Sequence, residues 1–202
     1  MPRRHLLRRT PSGESDGNGG FTAPGVEQGA ADEVNRILQD RLNSLIDTAL
    51  TLKHIHWNVV GPSFIGVHRM LDPQVEAVQK MVDDLAERIA TLGGSPNGLP
   101  GHLVETRRWG DYEFGRASAA AHLGALDIVY EGVISSHRTA VEELGSFDLV
   151  TQDLVIEQTR ELELFQWFVR AHLEDASGAL STEDATTQST AGMLAERAAA
   201  SR

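Results

Sequence analysis

The chain has no cysteine, which excludes disulfides, thiolate-ligated zinc and iron–sulfur clusters and is compatible with a reducing cytoplasm. No apolar run approaches the ~18 residues of a membrane span, and the N-terminal MPRRHLLRRT has no hydrophobic stretch long enough for a secretory signal. A soluble cytoplasmic protein is therefore expected. What is present is an acidic chain of 202 residues, 41% hydrophobic and with a formal net charge of −11. That suits one compact domain whose body attracts cations and repels nucleic acid.

Residues 1–30 read as a disordered tail. Its first ten residues carry Arg3, Arg4, Arg8 and Arg9 without an acidic neighbour, and PSGESDGNGG follows as a flexible tether. Residues 31–178 read as an all-α domain. Leu38, Leu42, Leu45, Ala49 and Leu52 recur at helical spacing and lead onto His56, placing this histidine on the buried seam of a first long helix. Gly61-Pro62 ends that helix. A second seam runs through Val67, Leu71, Val75, Val78, Val82, Leu85, Ile89 and Leu92 to Gly93-Gly94. A long connection with a short helix around His102–Arg107 precedes a third helix. The break at GSFD separates that helix from a fourth starting near Thr151. Residues 179–202 turn to Ser, Thr and Ala and read as a flexible tail with weak helical potential near its end. This tail sets two arginines against four carboxylates over 175–202.

Five side chains in the first two helices have the chemistry of metal ligands: His56, His68, Asp72, Asp83 and Glu87. His56 and His68 lie six residues either side of Pro62, so a helical hairpin turning there sets the two imidazoles side by side. His68/Asp72 and Asp83/Glu87 are two i,i+4 pairs whose centres lie roughly 22 Å apart on a helix rising ~1.5 Å per residue. No single ion bridges that gap, because nitrogen and oxygen ligands sit about 2.0–2.2 Å from a first-row metal. The four side chains nevertheless share a stripe about 100° wide. A two-fold axis crossing near Val78 would lay the first pair of one chain over the second pair of its mate, giving two identical sites per dimer. None of the eight histidines has a glutamate three residues before it, which argues against the Glu-x-x-His di-metal centre built within one bundle. A lone histidine on an apolar seam is ordinarily a core residue; the set is what points to a metal. Histidine plus carboxylate suits iron, manganese or zinc.

The segments HWNVVGPSFIGVHRMLD, DDLAER and ELELFQWFVRAHLE resemble the Dps family of miniferritins, particularly its actinobacterial members, over about residues 31–178. The resemblance implies a ferritin-like four-helix bundle with a short helix between helices two and three, assembled as a hollow dodecamer. It implies a ferroxidase that oxidises Fe²⁺ with hydrogen peroxide or oxygen and stores ferric mineral, protecting DNA under oxidative stress. His56, His68 and Asp72 would come from one subunit and Asp83 and Glu87 from the other. Trp57 matches the family tryptophan near the iron site, thought to take stray oxidising equivalents, although a bundle tryptophan is commonly just packing. Asp148, Asp153 and Glu157 fall where the family's iron-entry pores lie; carboxylates in a first helical turn also complement the helix dipole. The alternative is a nucleoid-associated, DNA-compacting protein acting through Arg3, Arg4, Arg8 and Arg9, with avidity from many copies of a weak basic tail.

Overall fold

The structure is a computed structural model that describes residues 22–175 and 177–201. The arginines at 3, 4, 8 and 9 lie outside them. Six helices and one short strand pair make up the regular structure among the described residues: α1 (Gln28–Asn58), β1 (Val59–Val60), α2 (Phe64–Thr91), α3 (Pro100–Thr106), β2 (Ala117–Ser118), α4 (Ala119–Leu144), α5 (Leu149–Leu173) and α6 (Gln188–Ala200). α1 packs along α2 and α4 along α5, and the two hairpins close a bundle. The long connection through α3 crosses between them and ends where β2 pairs in parallel with β1, Val59 opposite Ala117.

The expected seams form the core. Leu38, Leu42, Leu45 and Leu52 of α1 meet Val67, Leu71, Val75, Val78, Leu85 and Ile89 of α2, all buried. Met81 rather than Val82 faces inward, Val82 being only partly covered. The α1–α2 turn needs Gly61, whose φ of 98° lies in the left-handed region that side chains avoid. α2 closes with bonds from Gly93 N to the Ala90 carbonyl and from Gly94 N to the Ile89 carbonyl, with Gly93 at φ 82°. Between the hairpins, the fully buried Tyr130 hydroxyl donates to Gln74 Oε1 at 2.6 Å. No helix among the described residues is long and apolar enough to cross a membrane.

One expectation needs correcting. Most of residues 179–202, expected as a flexible tail, folds as α6 and packs against α4. Its contact face is Ala191, Gly192 and Ala195, all buried. A Cβ on Gly124 would come within 2.5 Å of the Ala191 carbonyl oxygen, and one on Gly192 within 2.4 Å of the Phe114 ring. The helices thus meet backbone to backbone. Polar links hold the same segment: Ser118 Oγ donates to Glu196 at 2.6 Å, and Ser189 N donates to Glu113 at 2.9 Å.

Candidate metal centre

The α1–α2 hairpin brings His56, in the last turn of α1, against His68, near the start of α2. Their rings stack with centroids 3.7 Å apart. Each ring bonds to the other residue's backbone: His56 Nδ1 lies 3.0 Å from the His68 carbonyl, and His68 Nδ1 lies 2.9 Å from the His56 carbonyl. A carbonyl only accepts, so each Nδ1 carries the hydrogen. With its hydrogen on Nδ1, a ring in the neutral form keeps its lone pair on Nε2, the arrangement that prepares histidine to ligate a metal.

Asp72, one turn beyond His68, completes a trio with His56 and His68 whose ligand atoms lie within 4.8 Å of one another. Its Oδ1 sits 3.3 Å from His56 Nδ1 and 3.0 Å from the Lys53 ammonium. The hydrogen bond from Lys53, helped by the charge of Lys53 and by the two histidines, holds the Asp72 carboxyl below its ordinary pKa. Lys53 was not among the residues singled out from the sequence. Its signal there was only that it lies three residues before His56 on the same helical face.

Asp83 and Glu87 are exposed on α2 and do not join the trio. Asp83 follows Asp72 by eleven residues, about 16 Å along a helix rising ~1.5 Å per residue. Trp57 points away from its own bundle, 72% exposed. His54 faces elsewhere, its Nε2 bonded to the Phe114 carbonyl at 2.8 Å.

The three acidic residues around the start of α5 separate into two environments. Asp153 and Glu157 are exposed. Asp148 is buried and caps α5, accepting from Val150 N at 3.3 Å and Thr151 N at 3.1 Å, while Arg88 Nη2 donates to it at 2.6 Å. Burial alone would raise the Asp148 pKa, but the bonds from Thr151 and Arg88 outweigh it and hold the carboxyl below the usual range. Within this chain Asp148 is a helix cap tied to α2 through Arg88.

The arrangement is a cluster of three possible metal ligands on a helical bundle. A family profile for the ferritin-like domain matches residues 35–179, which sets the class as a ferritin-like bundle. The chain is 53% identical over 180 residues to the DNA protection during starvation protein of Mycolicibacterium smegmatis, covering 89% of this chain and 98% of that one. The Dps structure from Mycobacterium smegmatis superposes with a TM-score of 0.81 at 55% identity, covering 83% of this chain and 95% of that one. DpsA14 from Streptomyces coelicolor gives 0.78 at 61% identity, covering 79% and 95%. The chain belongs to the Dps family of ferritin-like proteins.

Proposed function

We propose that this protein oxidises Fe²⁺ at centres shared between two subunits and stores the ferric product inside a hollow dodecamer. The observation that carries this reading is the trio His56, His68 and Asp72, with Asp83 and Glu87 exposed on the same helix and out of its reach. A second chain related by a two-fold axis would supply the missing carboxylates. Exposed Trp57, Phe64 and Ile65 give the α1–α2 turn apolar surface suited to a subunit contact.

The two Nε2 atoms hold Fe²⁺, and Asp72, Asp83 and Glu87 favour the higher charge of Fe³⁺, which makes loss of an electron easier. Hydrogen peroxide, or oxygen, is the acceptor: one peroxide and two protons take one electron from each of two Fe²⁺ and leave as two waters, so no hydroxyl radical forms. Binding first requires Lys53 to yield Asp72, since ammonium and iron compete for one carboxylate. In this reading Trp57 takes equivalents that escape. Asp148, at the start of α5, and Asp153 and Glu157, exposed along it, are the pore carboxylates in this reading and concentrate Fe²⁺ by their field.

The decisive experiment is stopped-flow oxidation of Fe²⁺ by peroxide with Asp83→Ala/Glu87→Ala. A large loss of rate in a normally assembled variant is expected, and an unchanged rate overturns the proposal. A second reading, DNA compaction, draws on the name of the Mycolicibacterium relative and on Arg3, Arg4, Arg8 and Arg9. Deleting the residues before Phe21 should leave iron oxidation intact and abolish a low-salt DNA gel shift. A full-length protein that never shifts DNA removes that reading.

A further inference from the structure

Between α1, α4 and the connection after α3 lies a cavity of about 440 Å³, in the size range of small-molecule sites. Arg41 lines it. The side chain is partly buried, and its Nη1 is enclosed with no hydrogen-bond partner. Burial pushes the Arg41 pKa down, opposed from a distance by Asp40 and Glu143, but a guanidinium does not deprotonate in proteins. An enclosed guanidinium nitrogen without a hydrogen-bond partner is costly.

The cavity itself supplies no counter-ion. Its one carboxylate, Asp47, already accepts from Arg107 Nη1 at 3.3 Å and from Trp109 Nε1 at 2.7 Å. Arg108, on the same lining, is exposed and likewise has no carboxylate within 4.0 Å among the described residues. Buried His137 feels the positive charge of Arg41. The remaining wall includes Val129, Val133, Tyr112 and the Trp109 ring, a surface for an apolar body.

We propose that this cavity binds a small organic monocarboxylate, its carboxylate on Arg41 and Arg108 and its apolar part against Val129, Val133 and Trp109. Two arginine forks suit a planar carboxylate, and the apolar wall distinguishes an organic acid from a bare anion. The cavity shares no residue with the metal centre, so the inference is independent of iron oxidation.

Calorimetric titration of the assembled full-length protein tests it with three probes: benzoate, benzyl alcohol as the uncharged ring, and inorganic phosphate as the bare anion. Benzoate should bind with about one site per chain, and both comparators should bind at least about tenfold more weakly. Arg41→Met should weaken benzoate by about tenfold or more while leaving the melting temperature without ligand equal or higher, because an enclosed nitrogen without a hydrogen-bond partner has been removed. Its iron oxidation should be unchanged. Arg108→Gln, at the exposed rim, should weaken benzoate several-fold even where Arg41→Met does not assemble. Undetectable benzoate binding, comparators as tight as benzoate, or benzoate affinity unaffected by the arginine substitutions would each overturn the proposal. So would an assembly structure in which a neighbouring subunit's carboxylate occupies Arg41.

Discussion

Two inactive variants should restore each other if the metal centre is shared. Let one chain carry His56→Ala/His68→Ala and the other Asp83→Ala/Glu87→Ala, and let equal amounts be unfolded and reassembled together. Random pairing makes about half of the two-fold dimers mixed, each mixed dimer concentrating all lost ligands in one site and leaving the other whole, so about a quarter of all sites are complete. Stopped-flow oxidation of Fe²⁺ should therefore return to about 25% of the wild-type rate, from parents near the uncatalysed rate. The histidine variant must fold for the test to be fair. It loses two interhelical hydrogen bonds, the 3.0 Å and 2.9 Å contacts between each ring and the opposite carbonyl. At about 0.5–1.5 kcal/mol net for each, that is about 1–3 kcal/mol, against a stability of about 5–15 kcal/mol for a typical domain. Circular dichroism of each parent checks this directly. Mixed assemblies no faster than their parents would mean that each chain holds its own complete site, and the shared-centre argument would be wrong.

Further outcomes follow from other contacts. Burial first, and then the charge of Arg41, lower the pKa of His137 to about 4, the bond to the Val133 carbonyl opposing. The unfolded chain therefore takes up a proton at His137 below about pH 6.5 that the folded chain refuses until about 4. Stability is fully present above pH 6.5, falls as pH drops through that window by about 3 kcal/mol in all, and urea melts at pH 7 and pH 4.5 should show a smaller difference in His137→Leu. Lys53→Met removes the ammonium that competes for Asp72, so titration with redox-inert Co²⁺ should show about two- to fivefold tighter binding, the scale of an exposed ion pair; weaker binding would make Lys53 a support for the site. Gly124→Val sets a side chain against the Ala191 carbonyl, where even a Cβ comes within 2.5 Å. It should cost about 1–3 kcal/mol and show as faster hydrogen exchange confined to α6, with α1 and α2 unaffected.

The parts of this molecule legible in the sequence are those governed by period and distance. The leucine and valine seams of α1 and α2 repeat at helical spacing, and large side chains at that spacing have to be buried together, so the bundle followed from them. The pairing of His56 with His68 followed from their equal distance to Gly61-Pro62, because a hairpin turn maps equal sequence offsets onto neighbouring positions. The docking of α6, whose helical potential was faintly visible near the end of the chain, escaped notice because its buried face is Ala191, Gly192 and Ala195. Such residues carry almost no hydrophobic contrast, and they pack by letting backbones approach. Lys53 escaped because a lysine on a helix face is ordinarily solvated, and only the three-dimensional course of its flexible stem reveals that it reaches Asp72. Asp148 was ambiguous for a physical reason: a carboxylate before a helix serves a cap, a dipole or a cation equally well, and its partner Arg88 lies sixty residues earlier, beyond the reach of any local pattern.

The seating of α6 on α4 also fixes an attachment point. Ala200 ends a helix bound to the bundle along its small-residue face, so whatever is joined beyond it would depart from a defined place and direction. A peptide or dye grafted there would hold a fixed position relative to the bundle instead of sweeping the volume open to a loose arm.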